Sequence, residues 1–134
     1  MFPVNRRATV APALGGLLTR HLFAVCAAAL LWSATAFADP VGRYAVEGTN
    51  PGGGSQYTGT VTVEKTGDTY RVIWVVGSNR YVGTGIGNRE FIAVSYKSGN
   101  DSGLALYGAD GDNWSGVWAY AGARQMGTEV WKRE

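Results

Sequence analysis

Residues 57–87 read YTGTVTVEKTGDTYRVIWVVGSNRYVGTGIG, and this stretch decides the fold class. Alternate residues are aromatic, aliphatic or glycine from Tyr57 to Val63, from Tyr70 to Val76 and from Tyr81 to Gly85, and Thr66-Gly67-Asp68 and Gly77-Ser78-Asn79 lie between these runs. Strict alternation is typical of strands with one buried face, because successive side chains point to opposite sides of a sheet. The short breaks are the connections that antiparallel hairpins need. The stretch therefore predicts three consecutive strands of a meander.

The same pattern continues on both sides of this stretch. Further strands are predicted at Val41–Glu47, Glu90–Lys97, Gly103–Tyr107, Asn113–Tyr120 and Gln125–Arg133, with no helical periodicity. Closing eight such strands removes the unpaired edges that invite aggregation. Glycines inside strands, such as Gly59 and Gly116, fit a tightly curved sheet. We therefore predict an all-β protein with an eight-stranded antiparallel up-and-down β-barrel. A two-sheet β-sandwich is the alternative.

The first 38 residues have the features of a secretory signal peptide. Basic residues precede the apolar run Leu22–Trp32, and Ala36-Phe37-Ala38 is a small-x-small cleavage site. The run is too short for a membrane-spanning helix, which needs about 20 apolar residues. The predicted organisation is a signal peptide at 1–38 and a single β-barrel domain at 39–134. The protein is expected to be exported, to the periplasm or out of the cell.

Cleavage after Ala38 would change the composition of the chain. It would leave 96 of the 134 residues and lower the net charge from +2 to −1, because Arg6, Arg7 and Arg20 belong to the signal. A near-neutral domain without a basic run lacks the electrostatic signature of nucleic-acid binding. No membrane span is expected after cleavage. The single cysteine, Cys26, also lies in the signal, so the mature domain is expected to fold without a disulfide.

Catalytic and metal chemistry have little support in the mature sequence. The only histidine, His21, is in the signal, so Ser-His and Cys-His pairs and zinc sites are not expected. Glu129 alternates with Gly127 and Trp131. If that face is inward, the buried carboxylate needs a partner such as a tyrosine hydroxyl. Otherwise Glu129 is an exposed residue of the last strand. We predict a protein that is not an enzyme and that has no cofactor and no metal.

Aromatic side chains on the alternating face either fill the barrel or line an open end of it. In the second case their OH and NH groups would orient a small apolar or aromatic ligand. The candidate ligand-binding residues are Tyr44, Tyr57, Tyr70, Trp74, Tyr81, Trp114, Trp118 and Glu129.

From Ile73 onward both faces of the strands become apolar. A closed barrel has one interior, so part of this set should form an outer patch, and such a patch usually marks an interface. The candidate interface residues are Ile73, Val75, Val82 and Ile86. Homo-oligomerisation or docking of a protein partner would explain them.

The last hairpin resembles that of avidin-type barrels. The resemblance covers Trp114-Ser115-Gly116-Val117-Trp118 and continues to Thr128 and Trp131. It implies a barrel and, as in avidin-like proteins, an oligomer. It does not imply biotin binding, because that family's early Asn, Ser and Tyr ligands have no counterparts around Tyr44 and Tyr57.

A wider resemblance covers nearly the whole mature domain. The matching segments are Gly42-Arg43-Tyr44, Gly48-Thr49-Asn50-Pro51-Gly52, Tyr57-Thr58-Gly59, Tyr81-Val82-Gly83-Thr84-Gly85 and Gly127-Thr128-Glu129-Val130. On these segments the chain is similar to a group of small exported alphaproteobacterial proteins. Its members are often uncharacterised or labelled fibronectin-binding protein, which implies an adhesive role. The predicted function is an exported protein-binding or adhesin-like module. The alternatives are a carrier of a small apolar or aromatic ligand and a periplasmic enzyme inhibitor.

Overall fold

The computed structural model of the chain describes residues 37–134, which form eight β-strands. The strands are β1 (Gly42–Thr49), β2 (Gln56–Thr66), β3 (Thr69–Val76), β4 (Asn79–Gly87), β5 (Phe91–Ser98), β6 (Asp101–Asp110), β7 (Asn113–Tyr120) and β8 (Gly127–Arg133). Nearly all of the predicted signal peptide lies outside the described residues. Within the described part of the chain, no helix is long and apolar enough to cross a membrane.

Each strand pairs antiparallel with its neighbours in sequence, and β1 also pairs with β8. The predicted closed up-and-down barrel is therefore confirmed, and the sandwich alternative is wrong. Four of the five strands that were predicted with explicit bounds have other bounds in the structure. β1 and β5 differ by one or two residues at each end. β6 extends to Asp101 and Asp110, because tight turns with left-handed glycines at Gly99 and Gly111 keep the ladder paired up to the turn. β8 begins at Gly127, two residues later than predicted.

The predicted alternation sets the two faces of the barrel. Residues of the Tyr57 series on β2, β3 and β4 point inward, and the buried positions of β5 to β8 continue this set. Glycines make room for large rings in this narrow interior. A side chain at Gly116 would collide with the ring of Tyr107, and one at Gly127 would collide with the ring of Trp118. The ring of Tyr107 on β6 therefore lies over a glycine of β7, and the ring of Trp118 on β7 lies over a glycine of β8.

The barrel end that holds the start of β1 and the end of β8 is closed by aromatic rings. Tyr44, Trp114 and Trp131 are fully buried there. Their rings pack closely, with the centroids of Tyr44 and Trp131 5.7 Å apart. This end is a packed core, and its burial supplies much of the stabilisation of the fold.

The segment before β1 covers the closed end. Pro40 is fully buried, and its carbonyl accepts a hydrogen bond of 2.8 Å from the Tyr44 hydroxyl. The guanidinium of Arg133 lies 4.7 Å from the centroid of the Tyr44 ring and donates to the carbonyls of Asp39 and Val41. Arg133 on the last strand therefore holds the segment that precedes the first strand.

The opposite end carries the β1–β2, β3–β4, β5–β6 and β7–β8 connections. The glycine-rich β1–β2 loop is ordered by Asn50, whose amide nitrogen donates to the carbonyl and the hydroxyl of Ser55. The amide of Gly52 donates to the Met126 carbonyl, which joins this loop to the β7–β8 loop. The two longest loops thus border one side of the barrel mouth.

Candidate functional site

A cavity of about 220 Å³ opens at the loop-bearing end of the barrel. Its wall is mostly aromatic, its rim carries two asparagines and its floor contains a glutamate. The lining residues are Asn50, Tyr57, Trp74, Val76, Asn79, Tyr81, Tyr96, Tyr107, Trp118, Tyr120 and Glu129. The barrel is therefore filled at one end and open at the other.

Glu129 is the centre of this site. It points inward from β8 and is only 5% exposed. Its Oε1 accepts hydrogen bonds from Trp74 Nε1, at 2.8 Å, and from the Tyr107 hydroxyl, at 2.9 Å. Trp131 Nε1 donates to the same oxygen. The Tyr57 hydroxyl donates to Oε2 at 2.6 Å. β2, β3 and β6 thus supply one donor each, and β8 supplies both the acceptor and a fourth donor.

The donors around Glu129 are all neutral. Among residues 37–134, ion pairs form only at the surface, between Arg43 and Glu134, Arg71 and Glu64, and Lys132 and Glu47. Hydrogen bonds to an ionised acceptor are stronger than neutral ones, and a buried carboxylate needs them. The network therefore satisfies the oxygens of Glu129 without cancelling the charge.

The two tyrosines that contact Glu129 have raised pKa values. Burial, and then the negative charge of Glu129, raise the pKa of the Tyr57 hydroxyl far above its ordinary value. The same two causes, in the same order, raise the pKa of Tyr107. Both hydroxyls therefore stay protonated at neutral pH and continue to donate to the carboxylate.

The wall above the floor consists of rings in edge-to-face contact. Tyr81 and Tyr96 meet at 85° with centroids 6.0 Å apart, and Trp118 and Tyr120 meet at 88° with centroids 5.3 Å apart. The Tyr96 hydroxyl donates to the Ala119 carbonyl, which fixes its ring against β7. These contacts hold the wall in shape, so the cavity is largely pre-formed.

The structure brings five of the eight candidate ligand-binding residues together at the cavity: Tyr57, Trp74, Tyr81, Trp118 and Glu129. The other three do not line it. Tyr44 and Trp114 are packed in the closed end, and Tyr70 is buried near that end with Lys65 over its ring. We exclude these three from the candidate site, because inward alternation gives the face of a residue but not its depth in the barrel.

Sequence reasoning missed several lining residues. Tyr96 and Tyr107 follow the inward alternation of β5 and β6, so the period-two pattern could have identified them. Tyr120 is the last residue of β7 and continues the series of Trp114 and Trp118. Asn50 and Asn79 lie at the ends of connections, where the sequence carries no signal of what they face.

The four candidate interface residues lie on the outer face in different environments. Val75 and Ile86 are exposed. Ile73 is buried although it points outward, and its cross-strand neighbours are Thr62 and Val82, which are half-buried. Of the two candidate residues on β3, Val75 therefore contributes to the exposed apolar surface and Ile73 does not.

Another set of apolar side chains on the outer face lies further along the barrel, on β4 to β7. Ile86, Ala93, Leu106 and Val117 form one cross-strand row over β4 to β7, and Leu104 lies beside it. Ile86 and Leu104 are each 61% exposed. We call this row together with Leu104 the outer apolar row.

Among residues 37–134, no group of His, Cys, Asp or Glu side chains is arranged to hold a metal ion. A comparison with protein-family models found no family that matches the chain, and a comparison with curated protein sequences found no match. The chemistry of the cavity is therefore the basis on which function is argued.

Proposed function

We propose that this barrel is a binding protein that holds a small ligand in the cavity above Glu129. The observation that carries the proposal is a carboxylate buried at the floor of an open cavity with four neutral donors and no basic partner in the described residues. Burying a charge costs several kcal/mol, and apolar residues would fill a barrel interior at lower cost. Because packing of the core does not require the carboxylate of Glu129, we infer that this carboxylate is present to contact a ligand.

The composition of the cavity supports the proposal. Small-molecule sites are concave, mostly apolar and aromatic, and contain a few polar groups that fix orientation. The cavity has an aromatic wall with Glu129 below and two asparagines at the rim. Its volume of about 220 Å³ is smaller than the roughly 300–1,000 Å³ of drug-sized sites, so the ligand is small.

The closed barrel also favours binding because it fixes the site before the ligand arrives. Every strand is paired on both sides, and the lining rings pack against one another. A pre-formed site loses little conformational entropy on binding, which improves affinity. We propose that binding takes place after export, in the periplasm or outside the cell, in line with the predicted signal peptide.

Native mass spectrometry of the exported protein, purified gently from its own organism, tests this proposal. We expect a species heavier than the bare chain that loses the extra mass on denaturation. Val76→Phe should reduce this species, because Val76 lines the cavity. Val75→Phe is the matched control, since Val75 is the neighbouring residue on β3 and is exposed on the outer face.

Tryptophan fluorescence gives a second readout, since Trp74 and Trp118 line the cavity. Small molecules that enter it should change the emission of the wild type and of Val75→Phe more than that of Val76→Phe. A bare protein whose emission responds to no member of a diverse small-molecule panel would contradict the proposal.

The outer apolar row favours a second candidate function, which is association with a protein. The exposed side chains of Ile86, Leu104 and Leu106 lie together on the barrel surface, and contiguous apolar surface of this kind often marks an interface. An adhesin-like or fibronectin-binding role, as the sequence resemblance implies, would use this face. Leu106→Asp should then abolish capture on immobilised fibronectin and leave ligand binding in the cavity unchanged. Capture that is unaffected by this change would argue against the row as the contact.

A further inference from the structure

The chemistry of the cavity also restricts the class of ligand, provided that the proposed function holds. We propose that the cavity binds a small organic cation, an ammonium ion that carries apolar groups. Charge, hydrogen-bond polarity and the aromatic wall each support this ligand class.

Glu129 gives the cavity a negative charge, and no basic side chain of the lining balances it. Among the lining residues in the described part of the chain there is no Lys, Arg or His, and Glu129 is the single carboxylate. The four groups that contact it are neutral donors. Charges attract more strongly in a poorly hydrated enclosure than in water. A cation in the cavity would therefore gain an interaction that a neutral molecule lacks, and an anion would be repelled.

The polarity of the hydrogen bonds at the floor favours the same ligand. The hydroxyl hydrogens of Tyr57 and Tyr107 are both directed at Glu129, so their oxygens can only accept a further hydrogen bond. Trp74 donates its indole hydrogen to the same carboxylate. At the rim, the amide hydrogens of Asn50 are used by Ser55. The lower cavity thus offers acceptors to a ligand and has few donors left.

One buried donor near the cavity is not used in this way. Trp118 Nε1 has no hydrogen-bond partner. It is shielded from solvent and lies against Gly127, where an added Cβ would be 2.6 Å away. Because this nitrogen has almost no exposed surface, a ligand in the cavity does not contact it unless the ring moves.

The aromatic wall suits a weakly hydrated cation. Indole and phenol rings attract cations through the negative potential of their faces, and clusters of such rings recognise alkylated ammonium ions. Trp74, Tyr81, Tyr96 and Trp118 stand around the space above Glu129. A metal cation would instead need several oxygen ligands, and the described residues contain no cluster of acidic side chains that could supply them.

The test is a comparison of ligands that have the same shape and differ in charge. Choline is compared with 3,3-dimethylbutan-1-ol, and benzylammonium with benzyl alcohol and benzoate, by calorimetry and tryptophan fluorescence. In at least one set we expect the cation to bind ten-fold or more tightly than its neutral counterpart, a difference of about 1.4 kcal/mol. Benzoate should bind most weakly in its set.

Two variants test whether the preference for cations depends on the residues at the floor of the cavity. Glu129→Gln keeps the size of the side chain and removes the charge, so the ratio of cation to neutral affinity should fall towards one. Glu47→Gln is the control, because Glu47 is an exposed residue of β1 that pairs with Lys132. Tyr57→Phe removes an acceptor and keeps the charge, so it should weaken cation binding and retain the preference. If Glu129→Gln does not fold, Tyr57→Phe still locates the cation, because cation binding that this variant leaves unchanged would place the cation away from the floor and overturn the inference.

The possible outcomes separate this inference from the proposed function. A cation preference that is lost in Glu129→Gln supports both. Equal or tighter binding of the neutral or anionic compounds overturns the cationic ligand class and leaves the proposed function in place. A native ligand without a positive charge would likewise overturn the cationic ligand class and leave the proposed function in place. No binding in any set, together with a bare protein in native mass spectrometry, overturns both.

Discussion

The hydrogen bond from Tyr107 to Glu129 should make a measurable contribution to stability. Tyr107→Phe removes one hydroxyl and keeps the ring in place, so no large cavity forms. The bond is 2.9 Å long and Tyr107 is only 1% exposed, so water replaces the lost donor less readily than it would at the half-buried Tyr57. Hydrogen bonds to charged groups contribute about 1.5–3 kcal/mol. We therefore expect the free energy of unfolding to fall by about 2 kcal/mol.

Urea unfolding of the ligand-free domain, followed by tryptophan fluorescence, measures this loss. The slope of the free energy with urea should not change, because the substitution leaves the surface exposed on unfolding unaltered. Tyr57→Phe is the matched control. Its bond to Glu129 is shorter, at 2.6 Å, but Tyr57 is only half-buried at the cavity floor. Water can enter there and replace the hydroxyl, so the expected loss is about 1 kcal/mol or less.

A double-mutant cycle shows whether Tyr107 stabilises the fold through the charge of Glu129. In the Glu129→Gln background the acceptor is neutral, so Tyr107→Phe should cost about 1 kcal/mol less than in the wild type. The reasoning would be refuted if Tyr57→Phe were the more costly substitution. It would also be refuted if Tyr107→Phe cost the same in both backgrounds.

Three further predictions concern other parts of the barrel. The pKa values of Tyr57 and Tyr107 are raised in the folded state, so their contribution to stability is complete below the unfolded pKa of about 10 and is lost as pH rises further. Thermal unfolding between neutral pH and pH 11 should show a decline only at the alkaline end, and Tyr107→Phe should make that decline shallower. Gly116→Ala should destabilise the domain by about 1–3 kcal/mol in urea unfolding, because a Cβ there meets the Leu106 carbonyl and the ring of Tyr107. Gly108→Ala, where a Cβ meets nothing within 4 Å, should change stability by no more than about 0.5 kcal/mol. Arg133→Met should release the Asp39–Val41 segment from the closed end, because two of its three backbone carbonyls accept hydrogen bonds from this side chain. Hydrogen exchange at residues 41–44 should become faster, and exchange in β5 should stay the same.

The fold could be predicted from the sequence because it depends on local signals. Alternation from Tyr57 to Gly85 fixes which side chains point inward, and short turns require antiparallel neighbours. β5 was harder to interpret, because Phe91, Ile92, Ala93 and Val94 are apolar on both faces and alternation alone does not tell which face is buried. In the structure Ile92 and Val94 are the inward pair, and Phe91 is exposed.

The candidate site could be predicted only in part, because its geometry is set by contacts between distant strands. The sequence indicated that Glu129 would be inward if Gly127 and Trp131 were, and that a tyrosine hydroxyl could be its partner. It could not indicate that β2, β3 and β6 bring Tyr57, Trp74 and Tyr107 to the same carboxylate, since this depends on register and barrel closure. Alternation alone also does not give the depth of a ring, which depends on the position along the strand and on the strand's direction. Tyr44 and Tyr57 both lie near the start of a strand, and they are at opposite ends of the barrel because β1 and β2 are antiparallel.

The closed end of the barrel stabilises the fold, and the open end contains the cavity. The closed end contains fully buried Tyr44, Trp114 and Trp131 beneath Pro40, and burial of such rings is the main source of stability in a domain of this size. The surface ion pairs contribute little, since exposed pairs stabilise by at most about 1 kcal/mol each. The open end contains a charge whose burial lowers stability, together with the cavity. Because the closed end stabilises the fold, the open end can retain Glu129 in an environment that is suited to a ligand and unfavourable for an empty core.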